Sequence, residues 1–364
     1  MDSRTVEEEF VKDVERERAK LGVKRPNVLV CGYTGSAKTS LIQAVCGDDL
    51  VPADAIGDAE PTTTGFDEYA SEHIRIWDSK GLEPGEGEQV FAAMLTGFLK
   101  ERRISPDVDS HVHLVWYTIQ APGARITDCD LELLTKVLAN EHVIVVLTKA
   151  DIARPEQIVA MRERLTEAGI EPQHIVSASD RRSGAQGCKE LVELTQRLLP
   201  AACRDSFLEA QRIDREARIE AVMQKKGKAS AIIAAATVTA TGIGATPIPV
   251  ADAALLIPVQ TGMVTGLAAL YGLKREAVRH AVLPFVARVV GIYAASSLLK
   301  LLPFLGSMIN AGVAGSLTGA LGWFTRDRFE AMALAKITGE PMPQLDFDME
   351  TFRKYYAAFK TDKQ

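Results

Sequence analysis

The sequence predicts an α/β fold built on a mostly parallel sheet, followed by an all-α hydrophobic helical domain. Three observations carry this. Over roughly the first 200 residues, short apolar runs alternate with stretches of helical spacing, the pattern of a sheet covered on both faces. The informative polar residues fall just after those runs, where open α/β sheets bind ligands. Beyond residue 229 charge nearly vanishes: 229–325 holds only Asp252, Lys274, Arg275, Glu276, Arg279, Arg288 and Lys300.

The elements follow in order. Residues 1–25 are highly charged and lack an apolar core, so they read as an exposed amphipathic N-terminal helix and not as a secretory signal. Asp2 excludes the myristoylation motif. "PNVLVCG" (26–32) is a buried strand entering a turn, and "AKTSLIQAVCG" (37–47) a helix closing on Gly47. Strands are expected at 73–78, 111–119, 142–148 and 174–179, and helices at 88–103, 128–139, 155–168 and from about 187. The resulting parse is an α/β domain at 26–203, a charged connecting helix at 204–228, a hydrophobic helical domain at 229–340 and an amphipathic tail at 341–364. The net charge of −6 argues against a nucleic-acid partner. The five cysteines form no Cys-x-x-Cys pair and read as free, buried thiols of a reducing, cytoplasmic compartment.

Five stretches carry chemistry. "GYTGSAKTS" (32–40) follows a strand and opens a helix, as a phosphate-binding loop must, but has Ala37 where the pattern has its second glycine. Gly32, Thr34, Gly35, Ser36, Ala37, Lys38, Thr39 and Ser40 are its candidate nucleotide-binding residues, with backbone N–H groups facing the phosphates. Lys38 would pair with the β- and γ-phosphates and Thr39 would bind Mg²⁺. A methyl at position 37 is tolerable if that residue already starts the helix, since alanine is confined mainly to negative φ. "WDSKG" (77–81) offers Asp78 to Mg²⁺ through water and the Gly81 N–H to a γ-phosphate. "PTTTGF" (61–66) offers Thr63 or Thr64 as a ligand that reaches Mg²⁺ and γ-phosphate only when the third phosphate is present. In "TKAD" (148–151), Asp151 accepts from guanine N1–H and N2–H₂, and the stem of Lys149 packs on the base. Adenine cannot make that pairing, a discrimination on the order of 10⁴-fold. Thr148, shorter than the commoner Asn, is expected to brace the phosphate loop less firmly. "SAS" places Ser177, Ala178 and Ser179 at a strand end, with the Ala178 N–H directed at guanine O6.

In the order and spacing of these stretches, residues 26–200 resemble the Era, TrmE and septin-like superfamily of P-loop GTPases. The resemblance implies a six-stranded sheet, Mg²⁺-dependent binding of GTP and GDP, and nucleotide-sensitive loops at about 52–66 and 78–90. Many such GTPases place a water-orienting glutamine after the Asp-x-x-Gly glycine. This chain has Leu82 there, and Gly35 where some relatives carry a K⁺-binding Asn, so slow intrinsic hydrolysis is expected. Glu83, Glu86 and Glu88 are either water-orienting candidates, with Glu83 nearest Gly81, or a solvated acidic loop. Arg102, Arg103 and Arg125 are candidate charge stabilisers among which spacing does not choose.

The apolar region reads as a helix from Ala229 to about Ala240, a turn containing Pro247 and Pro249, and a helix from Asp252 to Leu270. "LLPFLGSMINAGVAGSLTGALGWFT" (301–325) is uncharged and long enough to span a bilayer, while its many Ala, Gly and Thr suit a tight bundle. Shallow membrane association, a soluble bundle and a true span all stay open, with basic flanks placing both ends on the cytoplasmic side. Gly262–Gly266 and Gly315–Gly319 are spaced for close helix contact. This half resembles the YcjF-type domain attached to bacterial GTPases, and also the helical half of the immunity-related GTPases. "WYTIQAPGARITDCD" (116–130) fits the same group. The likeness implies a GTPase working near a membrane lipid surface through self-association. Two readings compete: a GTP-hydrolysing switch, and a nucleotide-gated membrane anchor or scaffold with negligible hydrolysis.

Overall fold

A computed structural model describes residues 16–17, 24–52, 65–71, 73–83, 87–106, 110–179, 184–244, 252–273, 311–343 and 349–361. The chain forms two compact units, one over Val23–Ala217 and the other over Arg218–Gln364 together with Met1–Gly22.

The first unit is a six-stranded sheet in the order β2-β3-β1-β4-β5-β6, parallel except for the antiparallel β2–β3 pair. Its strands are β1 (Asn27–Gly32), β2 (Phe66–Ala70), β3 (Arg75–Ser79), β4 (Leu114–Gln120), β5 (Val143–Thr148) and β6 (Ile175–Ser177). β1 is buried throughout because helices cover both faces, which is why it reads as an unbroken apolar run. Val28 and Val30 point to one core, shared with Leu41, Ile42 and Val45 of α1 (Lys38–Cys46). Leu29 and Cys31 point to the other, shared with Phe91 and Leu95 of α2 (Gly87–Ile104). So α1 leaves β1 on one face and α2 leaves the neighbouring β3 on the other. The crevice at the carboxyl ends of β1 and β3 is therefore the topological switch point.

β2 escaped the sequence reading. "FDEYA" is a half-exposed edge strand with two acidic residues, so no apolar run announces it. Glu68 pairs with Arg75 of β3 at 2.8 Å. The expected 128–139 helix is α3 (Asp128–Glu132), which continues as a π-helical turn over Leu133–Val137. Helices α4 (Pro155–Glu167) and α5 (Cys188–Leu198) complete the alternation. The charged stretch at 204–228, expected as one helix, is divided. α6 (Ala201–Ala210) buries Cys203 and Phe207 in the α1-side core. A turn follows in which the Gln211 side-chain oxygen accepts from the Ile213 and Asp214 N–H groups at 2.7 and 2.8 Å. α7 (Arg215–Gln224) begins after it.

The second unit is helical: α8 (Lys226–Gly244), α9 (Asp252–Leu270), α10 (Ala311–Thr338) and α11 (Met349–Thr361), around a core containing Ile233, Leu267, Leu321, Phe324 and Phe352. α9 has the bounds expected from sequence. Pro247, Pro249 and residues 301–310 lie outside the described residues. Close approach of α10 to α8 is set by Gly315 and Gly322, seven apart. A Cβ would lie 2.2 Å from Thr241 Oγ1 at the first and 2.8 Å from Ile233 at the second. Of the 262–266 pair, a Cβ at Gly266 would lie 3.5 Å from Ile232 of α8, while one at Gly262 would meet nothing within 4 Å among the described residues. α10 continues through Arg326, Asp327, Arg328 and Glu330. Among the described residues no helix is long and apolar enough to cross a membrane.

Candidate functional site

The loop after β1 turns back tightly on the sheet. At Gly32 a Cβ would lie 2.2 Å from the Thr118 carbonyl oxygen on β4, so only glycine fits. The Ser36 hydroxyl is 2.7 Å from Thr118 Oγ1, which in turn donates to the Cys31 carbonyl at 3.1 Å. The Thr148 hydroxyl, at the end of β5, donates to the Ser36 carbonyl at 2.8 Å. Sequence reasoning gave Thr148 a weak brace; the bond is short and buried, because β4 and β5 carry their hydroxyls right up to the loop. Thr118 was missed. Its only signal is a hydroxyl amid the apolar β4 run, on the strand adjacent to β1.

Ala37 is not the first helical residue. It occupies the left-handed region (φ 61°, ψ 33°) as the cap of α1, keeping the backbone that glycine would adopt and bearing its strain. Gly35 also has positive φ, at 79°. Lys38 is buried, and its Nζ donates to the carbonyls of Gly32 (3.3 Å) and Tyr33 (3.1 Å). Burial lowers its pKa, opposed by the nearby Asp78. Ser40 lies half-buried in the first turn of α1, while Thr34 is exposed.

Thr39 Oγ1 donates to Asp78 Oδ2 at 2.6 Å across the β1/β3 crevice. Asp78 Oδ1 is buried without a hydrogen-bond partner among the described residues. Burial pushes the Asp78 carboxyl up to about 6, against the opposing Thr39 hydrogen bond and Lys38 charge. A buried, incompletely satisfied carboxylate beside a hydroxyl suits a small hard cation, which would share its other positions with phosphate and water. Gly81 packs on the loop after β1: its missing Cβ would be 2.3 Å from Thr34 Oγ1. Leu82 is buried in the α2-side core, and its side chain has no hydrogen-bonding atom with which to orient water. Glu83 is exposed. Thr63, Thr64 and Glu86 lie outside the described residues.

Thr148 is followed by Lys149 in the left-handed region (φ 54°) and by exposed Asp151. Because Thr148 bonds to Ser36, the loop bearing Lys149 and Asp151 adjoins the loop bearing Lys38. The Ala178 N–H does not point outward: it donates to the Leu147 carbonyl at 2.9 Å, extending the β5–β6 ladder. This corrects its expected role, since a ladder donor is already satisfied. The Ser179 N–H likewise donates to the Gln186 carbonyl (2.8 Å), and Ser177 Oγ accepts from Arg162 at 3.4 Å. Of the arginines, Arg102 stacks on Trp77 with its guanidinium 4.4 Å from the ring centroid, and Arg103 pairs with Glu141. Arg125 is exposed beside Ala124 (φ 41°).

The non-glycine residues with positive φ, among those described, are Ala37, Ala124, Lys149 and Ala185. All follow β1, β4, β5 or β6, at the carboxyl edge of the sheet. Such strain costs on the order of 1–3 kcal/mol per residue and collects at ligand clamps.

No protein-family model matches the chain. A septin of Candida albicans, CDC11, is 21% identical over 166 residues, covering 39% of this chain. The chain spans only 41% of that septin's length. Among solved structures, Aquifex aeolicus Era bound to GDP·AlF₄⁻ is 20% identical, covering 49% of this chain and 57% of Era, with TM-score 0.36. The septin GTPase domain of Chlamydomonas reinhardtii is 19% identical, covering 40% and 59%, with TM-score 0.31. A probable GTP-binding protein, EngB, is 14% identical, covering 47% and 97%, with TM-score 0.34.

Proposed function

We propose that the Val23–Ala217 unit binds GTP and GDP with Mg²⁺ and hydrolyses GTP slowly, and that its nucleotide state governs the helical unit. The observation that carries this is the 2.8 Å bond from Thr148 to Ser36, which fastens the loop bearing Lys149 and Asp151 to the loop bearing Lys38. One ligand with a base at one end and phosphates at the other satisfies both. Lys38 would exchange two carbonyl acceptors for phosphate oxygens, a stronger charge-assisted pairing. Asp151 would accept from the guanine edge. Thr39 and Asp78 would hold Mg²⁺, with Thr63 or Thr64 added in the triphosphate state. The cation would neutralise charge on the β- and γ-phosphate oxygens. The Gly81 N–H would receive the γ-phosphate. Era, among the similar structures, was crystallised with GDP·AlF₄⁻.

Hydrolysis is slow on this reading because buried Leu82 leaves water unpositioned, with Glu83 the nearest acidic candidate. The same burial favours a second reading, a nucleotide-gated anchor or scaffold with negligible turnover. In both, the helical unit associates reversibly with a membrane lipid surface on its cytoplasmic face and with further copies of the chain. Turnover measured with and without liposomes, over a range of protein concentrations, separates them. Stimulation supports the enzyme, and negligible turnover throughout supports the scaffold.

The base assignment is tested by Asp151→Asn. The amide can donate to the 2-oxygen of xanthine, so GTP should weaken by about 10²-fold or more and xanthosine triphosphate should gain. Unchanged GTP affinity would refute the assignment.

A further inference from the structure

α10 and the C-terminal helix α11 are separated by a deliberate stop. Gly339 takes φ 78°, and its N–H donates to the Ala335 carbonyl at 2.8 Å, capping α10. Pro341 and Pro343 follow and cannot continue a helix. α11 lies back on α10, and its seat there is narrow. Among the side chains described on α11, Phe352 alone is buried, in the core that holds Phe324 and Phe329. One turn on, the Tyr355 ring meets Phe324 edge-on with centroids 5.6 Å apart, and its hydroxyl donates to Asp327 Oδ2 at 2.6 Å. Burial, reinforced by the Asp327 hydrogen bond, pushes the Tyr355 pKa up to about 12, so the hydroxyl keeps the proton it donates. Lys354, Ala357 and Ala358 are exposed.

The charge of this tail is the reverse of the chain's. In sequence, 349–364 carries Arg353, Lys354, Lys360 and Lys363 against Glu350 and Asp362, in a protein of net charge −6. Its large apolar positions, Phe352, Tyr355, Tyr356 and Phe359, recur at helical spacing and are all aromatic. Aromatic rings on one face with lysine and arginine beside them suit a helix lying in the headgroup plane of a bilayer, which need not span it. We propose that α11 is the lipid-binding element of the helical unit and that its seat on α10 is a self-inhibited state. The Phe352 and Tyr355 face is either docked at Phe324 and Asp327 or buried in an anionic lipid surface, since the same atoms serve both contacts. The inference rests on the membrane reading above and names the segment and the lipid charge that carry it. Apparent affinity for lipid is then the intrinsic affinity scaled by the fraction of α11 released.

The test is flotation of the full chain with vesicles of phosphatidylcholine containing phosphatidylserine, and of phosphatidylcholine alone. Tyr355→Phe keeps the apolar face but loses the bond to Asp327, so it should raise affinity for the phosphatidylserine vesicles about tenfold. Lys354 is exposed and pairs with Glu350 at 3.3 Å, clear of the seat. Lys354→Glu should therefore lower that affinity about tenfold or more, as two units of charge are lost from the headgroup plane. Phosphatidylcholine alone should bind weakly throughout. A tail with a merely structural role predicts unchanged or weaker binding on loss of the Tyr355 hydroxyl. Either of those results, equal binding to both kinds of vesicle, or indifference to Lys354→Glu would overturn the proposal. Lys354→Glu keeps the test decisive if Tyr355→Phe does not fold. If wild type and Tyr355→Phe both stay off every vesicle, the membrane reading itself fails, and this inference with it.

Discussion

Replacing Ala37 by glycine should stabilise this protein. Ala37 sits at φ 61°, ψ 33°, where a residue with a Cβ pays about 1–2 kcal/mol. Glycine escapes that cost but gives back about 0.4–1 kcal/mol through the greater freedom of the unfolded chain. The difference favours Ala37→Gly by about 0.5–1 kcal/mol, or roughly 1–4 °C in Tm for a domain of this size. No hydrogen bond changes hands, because the contact of residue 37 is its carbonyl, which accepts from the Leu41 N–H at 2.9 Å. Thermal unfolding and urea titration of the full chain, followed by two probes, measure the shift. Ala37→Val supplies the opposite sign: a β-branched side chain in the same conformation should cost about 1 kcal/mol or more. Equal midpoints for all three proteins, or a lower midpoint for glycine, would refute the strain argument.

Two further substitutions probe the frame of the site. Thr148→Val keeps shape but removes the donor to Ser36. It should cost about 1–2 kcal/mol in stability and weaken GDP as well, read by urea titration and by nucleotide titration. Gly187→Ala sets a Cβ 1.9 Å from the Ser177 carbonyl at φ 76°; clash plus backbone strain should cost about 3 kcal/mol or more, seen as a large fall in Tm or loss of soluble protein.

The parts of this fold that were legible are those whose burial is two-sided. β1, β4 and β5 read as apolar runs because helices cover both faces, and α9 could be bounded because Asp252 and the glycine after Tyr271 punctuate it. β2 was invisible for the converse reason, being an edge strand that shows half its surface to water. The candidate site divides the same way. Lys38, Thr39, Asp78 and Asp151 stand out because the roles proposed for them need particular atoms at particular spacings. Thr118 does not, since its contacts with Ser36 and Cys31 depend on which strand the fold sets beside β1. The Ala178 N–H failed because backbone donors carry no letter in a sequence. Only the pairing of β5 with β6 shows that this one is already engaged.

Ala37 shows why local propensity lost. Propensity places an alanine at a helix start in right-handed conformation, and a shift of that single residue would remove the strain. The shift is blocked by what residue 36 is tied to: its hydroxyl meets Thr118 and its carbonyl accepts from Thr148, both buried. Releasing them would leave the Ser36 carbonyl and the Ser36 hydroxyl, both buried, without these partners, at about 1–3 kcal/mol for each group. That exceeds the strain at Ala37. The hydroxyls of β4 and β5 thus hold the loop in the shape that a glycine would otherwise take freely, and a substitution that looks damaging in the motif leaves the backbone of the loop after β1 in that shape.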